Sequence, residues 1–284
     1  MDRFKQMRLS EKIIYIVVFA IFAGLALSLI VPIAWILLNS FKTNNEFKAN
    51  SSALPERWIF YNYYEAFSQN VKGTGILGML GNSVIMTAGS TAIGTFWLLV
   101  TSYTMAKFKF RFNSTIYTIV LVVMCIPAIG GTSFQYSFYQ SIGIYDTFFS
   151  IFIHSTGFGG NFLLMYAVFK GVSNTYMEAA YMDGAKNFRI FWQIMVPQVI
   201  PTAASLALLN ALGTWNDYFT SYMWLPGHPT LSYGLYELQA NATTKNMFPQ
   251  LFAFMILCTL PILIIFIFMQ NTIMENVTTG GIKG

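Results

Sequence analysis

Residues 13–38 read IIYIVVFAIFAGLALSLIVPIAWILL, an apolar run that contains no charged side chain. A membrane-spanning helix needs about 20 such residues, so the run is long enough to cross a bilayer. It is also roughly twice as long as the apolar region of a secretory signal peptide, and it lacks a small-residue cleavage site. The run therefore predicts the first membrane-spanning helix of an integral membrane protein.

The composition of the whole chain agrees with this prediction. Of its 284 residues, 55% are hydrophobic and only 10% are charged, whereas soluble domains carry roughly 25% charged residues. So few charges are poorly suited to a water-facing surface, and lipid is the expected solvent. The net charge of +5 is scattered along the chain, so we predict no nucleic-acid binding.

Six segments have the length and hydropathy of a membrane span, and they predict an all-α integral membrane protein. The segments are approximately residues 13–38, 82–105, 114–134, 147–169, 198–225 and 251–271. Together they form one predicted six-helix transmembrane domain, residues 13–271. A short N-terminal segment, residues 1–12, precedes this domain, and a C-terminal tail, residues 272–284, follows it.

Lysine and arginine residues give the predicted orientation. With the N-terminus inside, 11 of the 16 basic residues fall in inner segments and 5 in outer segments. Cytoplasmic loops of membrane proteins are enriched in these residues, so both termini are predicted to be cytoplasmic. The connector 170–197 then lies in the cytoplasm. The long connector 41–81 lies outside, and its aromatic residues predict a partly ordered segment at the membrane surface.

The cytoplasmic connector contains the stretch TYMEAAYMDGAKNF, residues 175–188. Thr175 followed by Glu178 is a capping-box pattern, which predicts a helix that starts near Thr175. Gly184 within that helix would cost about 1 kcal/mol of helix propensity relative to alanine. We therefore expect that another surface approaches the backbone closely at Gly184.

One face of this predicted helix combines small and aromatic residues at helical spacing, namely Met177, Ala180, Tyr181, Gly184 and Phe188. An amphipathic helix lying on the inner leaflet is the alternative interpretation. Such a helix usually carries several basic residues, whereas this one carries Glu178 and Asp183. Anionic lipid would repel these carboxylates, so a protein partner is the better interpretation.

The run Glu178–Ala–Ala–Tyr–Met–Asp–Gly184, followed by Pro197 and Pro201, resembles the EAA loop of binding-protein-dependent ABC importers. In that family the loop forms a coupling helix that sits in a cleft of the cytoplasmic ATPase subunit. The resemblance implies an ATPase contact made by Glu178, Ala179, Ala180, Asp183, Gly184 and Phe188.

Three further features resemble the shorter permease of maltose-type sugar importers: Asn39–Ser–Phe–Lys42 with Glu46, the run Trp215–Asn–Asp217, and the C-terminal Gly280–Gly–Ile–Lys–Gly284. The resemblance implies a type I ABC importer permease fold in a prokaryotic plasma membrane, surrounded by lipid. It implies four partners: a homologous second permease, an ABC ATPase dimer, an extracellular solute-binding lipoprotein and a sugar substrate. It also implies that Gly281, Lys283 and Gly284 reach into the ATPase dimer.

Neither a catalytic constellation nor a phosphate-binding loop is visible in the sequence. The chain is therefore not expected to be an enzyme or to bind a cofactor, and ATP with its magnesium ion is expected in the partner ATPase. His154 and His228 are far apart, and no metal-ligand spacing occurs. Cys125 and Cys258 lie in apolar runs, so we interpret both as small buried hydrophobic residues.

Predicted span five carries a polar stripe, Asn210, Thr214, Asp217 and Ser221, at helical spacing. A carboxylate in a membrane span is costly unless it faces a cavity or a partner group. One interpretation is a wall of the translocation pathway, and the other is a packing or capping role near the outer end of the span. The candidate pathway or gate residues are Asn210, Thr214, Trp215, Asn216, Asp217 and Tyr218.

Two other positions in the spans invite interpretation. Pro127, followed by Gly130 and Gly131, predicts a kink in span three. His154 in span four is expected to make an interhelical hydrogen bond rather than to relay protons.

Three rival functions remain for comparison. An ABC importer of a non-sugar solute would share the coupling loop. An ion-coupled secondary transporter should show broken helices or intramembrane ionisable groups. A membrane enzyme should show clustered His, Asp or Glu near an interface, and the sequence shows no such cluster.

Overall fold

A computed structural model describes residues 8–126, 130–155, 157–245 and 247–279. These ranges are mainly helical and include one antiparallel hairpin, with strands β1 (Asn70–Val71) and β2 (Thr74–Gly75). The α-helices are α1 (Leu9–Asn39), α2 (Asn44–Ala49), α3 (Tyr61–Phe67), α4 (Ile76–Lys107), α5 (Asn113–Cys125), α6 (Gly131–Ser141), α7 (Phe148–Phe152), α8 (Gly160–Gly171), α9 (Thr175–Met182), α10 (Asn187–Ile190), α11 (Val196–Asn216), α12 (Tyr218–Trp224), α13 (Leu231–Lys245) and α14 (Phe248–Thr279). A π-helical turn, Phe191–Met195, joins α10 to α11.

Within the described ranges, three helical stretches are long and apolar enough to cross a membrane: Ser10–Asn39, Ile76–Lys107 and Asn187–Asn216. Asn113–Cys125 and Phe248–Ile264 are shorter apolar helices. The predicted membrane-like helical character is therefore confirmed. The count of six spans and the cytoplasmic termini stay predictions.

Predicted spans three, four and five are each interrupted in the structure. Span three divides into α5 and α6, and Gly130 at the start of α6 has φ +85°. Pro127, to which the kink was assigned, lies outside the described residues. Span four divides into α7 and α8, and span five breaks at Asp217 between α11 and α12. The hydropathy of spans four and five did not indicate these breaks.

The described chain forms two compact units. One unit comprises the residues up to Gln69 together with Leu238–Leu260, and the other comprises Asn70–Glu237 together with the residues from Pro261 onward. In the first unit, Asn62 Nδ2 donates to the carbonyls of Ser40 and Lys42, at 2.8 Å each. Lys42 is fully buried and donates to the Asn50 carbonyl at 3.0 Å. These contacts fix the start of the first connector, and its predicted place at the outer membrane surface stays a prediction.

In the second unit, α4 packs against α8 and α11. Its largest hydrophobic core lies where these helices meet α9, α10 and the π-helical turn, and it includes the fully buried Phe162, Met165, Phe169, Ile190 and Met195.

Cys258 is buried as expected, whereas Cys125 is exposed. Cys125 ends α5, and no residue of α5 is buried by other parts of the described chain. The predicted burial of Cys125 is therefore wrong.

Candidate functional site

The predicted cytoplasmic helix is present as α9, and its inner face joins the core of its unit. Met177 and Ala180 are 8% and 5% exposed and belong to the hydrophobic core cluster. The expected face of Met177, Ala180 and Tyr181 is therefore split, because its first two members pack inward and Tyr181 is exposed. Ala180 does not lie on the free surface that a partner would meet.

A lysine from a distant helix holds the segment that leads into α9. Lys107 Nζ, at the end of α4, donates to the backbone carbonyl of Val172 and to Asn174 Oδ1. Helix α9 begins at Thr175 as predicted. The hydrogen bonds of a capping box are not formed in this described segment, and the Thr175 hydroxyl instead bonds to the Ser173 hydroxyl.

Helix α9 ends in a Schellman motif whose left-handed residue is Gly184. The φ angle of Gly184 is +78°, Ala185 N donates to the Ala180 carbonyl at 2.9 Å, and Gly184 N donates to the Tyr181 carbonyl at 3.0 Å. Glycine is favoured here because it adopts positive φ without strain. The expectation that Gly184 lies inside the helix is wrong, since the helix ends at Met182.

The outer side of α9 and the following turn form a continuous exposed patch, here called the coupling surface: Glu178, Ala179, Met182, Asp183, Gly184 and Phe188. Met182 and Phe188 are 88% and 76% exposed. Exposed apolar side chains that lie close together mark a surface for contact with protein or membrane. Sequence reasoning missed Met182, although its position opposite Met177 and Ala180 on the helix would have indicated it.

The predicted C-terminal contact residues Gly281, Lys283 and Gly284 lie outside the described residues. Their role in reaching the ATPase stays a prediction.

Three of the six candidate pathway residues converge on one polar cavity. Asn210, Thr214 and Asp217 line this cavity, which has a volume of about 420 Å³ and lies within the second unit. The other three lie elsewhere. Trp215 is 6% exposed and lines an apolar groove, Asn216 Nδ2 donates to the Leu212 carbonyl at 2.8 Å, and Tyr218 stacks on Tyr236 with ring centroids 4.5 Å apart.

Asp217 both lines the cavity and caps a helix. Its Oδ1 accepts the backbone N–H of Thr220 at 3.0 Å, and its Oδ2 accepts the Thr220 hydroxyl. The carboxylate is therefore the N-cap of α12. Because the helix breaks here, Thr220 rather than Ser221 continues the polar lining, and the buried Ser221 instead accepts the backbone N–H of Thr230 at 3.2 Å. The expected place of Ser221 in the stripe is wrong.

His154 also lines the cavity, and it makes the expected interhelical contact. Its ring hydrogen-bonds to Gln135 of α6 and contacts the rings of Tyr139 and Trp224. Within the described ranges, no group of three His, Cys, Asp or Glu side chains is placed to hold a metal ion.

Comparison with known proteins identifies a family. The family described as "Binding-protein-dependent transport system inner membrane component" matches residues 98–277, more than half of the chain. This match includes α9, the coupling surface and the Asp217 break.

Individual relatives match over nearly the full length. A diacetylchitobiose uptake system permease protein of Streptomyces coelicolor is 28% identical over 258 residues, covering 88% of this chain and 83% of the relative. A maltodextrin transport system permease protein of Streptococcus pneumoniae is 29% identical over 284 residues, covering 98% and 97%. A chain from the crystal structure of a bacterial ABC transporter that imports alginate superposes with a TM-score of 0.76 at 22% identity, covering 93% and 98%.

Proposed function

Because this chain belongs to the family of inner membrane components of binding-protein-dependent transport systems, we propose that it is a permease subunit of an ATP-driven sugar or oligosaccharide importer. It is accordingly a transport subunit rather than an enzyme. In this proposal it forms half of the translocation pathway and is coupled to an ATPase through the coupling surface. The observation that carries the proposal is the exposed acidic and apolar turn of residues 178–188, seated on the core through Met177 and Ala180.

The packing of α9 supports its proposed role as a lever, that is, as a rigid element that transmits movement. Its inner face packs among fully buried side chains such as Phe169, Ile190 and Met195, and packed cores resist deformation. Its entry is held by Lys107 from the far end of α4. A movement of the ATPase that displaces this helix is therefore transmitted to α4, α8 and α11 as a rigid-body displacement.

The energy comes from a partner in this proposal. A cytoplasmic ABC ATPase dimer binds ATP and magnesium, while a homologous second permease completes the pathway. An extracellular solute-binding lipoprotein delivers the substrate, in keeping with the family's description. The chain lies in a prokaryotic plasma membrane with six spans and both termini in the cytoplasm.

The sugar substrate is inferred from relatives. Two of them are named for diacetylchitobiose and maltodextrin uptake, and both compounds are oligosaccharides. Interrupted helices are also expected of an ion-coupled secondary transporter. They therefore do not distinguish such a transporter from an ATP-driven importer. The family match and the exposed coupling surface favour the importer.

The test is a pull-down of the tagged chain from its native host in mild detergent, with mass spectrometry of its partners and of the sugar on any co-purified lipoprotein. An ATPase, a second permease and a sugar-loaded lipoprotein are expected. A non-sugar ligand on the lipoprotein would contradict the substrate class alone. A chain that purifies alone or as a homodimer, even after cross-linking, would contradict the importer and favour an ion-coupled transporter.

A further inference from the structure

The polar cavity is lined by more than span five. Ser90 and Gly94 of α4 line it from one side, and Ser155, Gly157 and Asn161 line it from the interrupted span four. A β-carbon placed on Gly94 would lie 3.7 Å from both Asn210 Nδ2 and Ser155 Cβ. Three segments of the chain therefore meet around Gly94. The volume of about 420 Å³ falls in the range of roughly 300–1,000 Å³ that is usual for small-molecule sites.

The interruption of span four is anchored to α4 at both of its ends. A β-carbon on Gly89 would lie 2.3 Å from the Phe152 ring, and one on Gly157 would lie 2.5 Å from the Trp97 carbonyl oxygen. The Thr101 hydroxyl lies 3.1 Å from the Gly157 carbonyl and donates to it. Non-helical backbone at membrane depth is stable only where protein buries it or where it lines a water-filled cavity. The structure places Ser155 and Gly157 at such a cavity.

The cavity offers hydrogen-bond donors that have no partner among the described residues. Ser90 is 5% exposed, and no described atom bonds to its Oγ. A buried hydroxyl without a hydrogen-bond partner is unfavourable. Helix α8 also begins at the cavity with Gly160 and Asn161, and its N-cap residue, Gly159, has no side chain that could cap it. The first N–H groups of a helix need an outside acceptor, so a ligand that accepts hydrogen bonds is expected here.

The same cavity also carries a strong acceptor. The Asp217 carboxylate accepts two hydrogen bonds from Thr220, whereas a carboxylate can accept about four. A free anion would be repelled by this carboxylate, and a free cation would be repelled by the positive end of α8. A neutral molecule with many hydroxyl groups suits both the carboxylate and the N-terminus of α8, because each hydroxyl donates one hydrogen bond and accepts up to two.

We propose that this cavity binds one sugar ring of the transported substrate through its hydroxyl groups, so that this chain itself contacts the sugar. Ser90, Asn161, Asn210 and Asp217 supply the polar contacts, and Gly94 keeps the space open for the ring. The inference rests on the proposed sugar-import function and assigns a substrate site to this chain within it.

The test uses the complete complex in proteoliposomes, with the sugar that the wild-type complex imports. Gly94→Val narrows the cavity and Ser90→Ala removes its unpaired donor. We expect the number of sugar molecules imported per ATP hydrolysed to fall at least tenfold for Gly94→Val and several-fold for Ser90→Ala. Gly81→Val is the matched control, because Gly81 lies in the same helix and a β-carbon there meets no described atom within 4 Å.

A second measurement detects the sugar in the cavity by its effect on thiol alkylation and does not require the variant to transport sugar. In a chain carrying Cys125→Ser and Cys258→Ala, Ser155→Cys is alkylated with a small hydrophilic thiol reagent with and without the sugar-loaded binding protein, because Ser155 lines the cavity and is only half-buried. We expect the sugar to slow alkylation at least threefold at this position and to leave a Gly81→Cys chain unaffected.

The outcomes separate the two proposals. If the wild-type complex imports no sugar, the proposed function fails and the site fails with it. If the wild-type complex imports sugar but both cavity variants keep the normal import ratio, or if alkylation of Ser155→Cys is unaffected by sugar, the importer stands and the cavity site is overturned.

Discussion

The Lys107 ammonium donates a hydrogen bond to the backbone carbonyl of Val172, 65 positions further along the chain. Lys107 ends α4, and Val172 lies three residues before α9. One side chain thus ties the helix that lines the polar cavity to the segment that presents the coupling surface. In the proposed lever, a displacement of α9 would be communicated to α4 through this contact as well as through the shared core.

Replacing Lys107 tests this connection. Lys107→Met keeps most of the aliphatic stem but leaves the Val172 carbonyl and Asn174 without their donor, which costs about 1.5–3 kcal/mol for bonds to a charged group. We expect sugar uptake per ATP hydrolysed to fall several-fold, and Lys107→Arg to restore part of it. The control is Lys109→Met, because Lys109 is exposed and its loss removes the same charge from the same turn. Equal uptake by the two methionine variants would show that Lys107 contributes only a positive charge that orients the chain in the membrane, and that its hydrogen bonds are not needed for uptake.

Gly184→Asp tests the coupling surface. Aspartate tolerates positive φ better than most residues, so the Schellman turn should survive while a charged side chain projects from the exposed surface. We expect sugar uptake to be abolished and membrane insertion to stay normal, as measured by transport assays and immunoblotting. Gly143→Asp is the control, since Gly143 also has positive φ (+72°) and also has no described atom within 4 Å of a β-carbon. Normal uptake by Gly184→Asp would exclude the lever.

Phe188 tests whether the exposed apolar side chains bind the ATPase. Phe188→Ala removes a ring that is 76% exposed in the chain, and burying such a ring in a partner contributes about 1.5–3 kcal/mol. We expect affinity for the ATPase to fall about tenfold or more, measured by titration of the detergent-purified chain. Phe134 is also 76% exposed but belongs to α6. Phe134→Ala should leave this affinity unchanged, and an equal loss in both variants would argue against a specific contact.

Gly157 tests the anchoring of the interrupted span. Gly157→Ala places a β-carbon 2.5 Å from the Trp97 carbonyl oxygen, and overpacking of this kind typically costs about 1–3 kcal/mol. We expect a clearly lower midpoint of thermal unfolding in detergent. Gly160→Ala is the control, because its nearest described contact would be an ordinary 3.7 Å from Met124. An unchanged midpoint for Gly157→Ala would mean that the segment is not fixed against α4.

Local patterns predicted the parts of this molecule that depend on local chemistry. The apolar run of residues 13–38 became a continuous helix, and the stretch after Ser173 became a helix that starts at Thr175. The polar spacing of span five placed Asn210, Thr214 and Asp217 on one cavity. The prediction failed at Ser221, because the Asp217 cap starts a new helix and changes the register of the side chains.

The interruption of span four could not be predicted from hydropathy, since Gly157, Phe158, Gly159 and Gly160 are apolar or neutral. The glycine cluster was the available indication, because glycine inside a helical pattern weakens it. Likewise, helical spacing grouped Met177 and Ala180 with Gly184, but spacing alone does not tell which side of a helix meets its own core.

The sequence by itself predicted a lipid solvent, the positions of the apolar helices and the stretch proposed to contact a partner, because these predictions follow from side-chain hydropathy and from short-range spacing. Only the tertiary structure decided which residues of that stretch are free, that Lys107 holds it, and that Ser90 lies unpaired beside the broken span. Those relationships join residues tens of positions apart, and they exist only once packing brings α4, α8, α9 and α11 together.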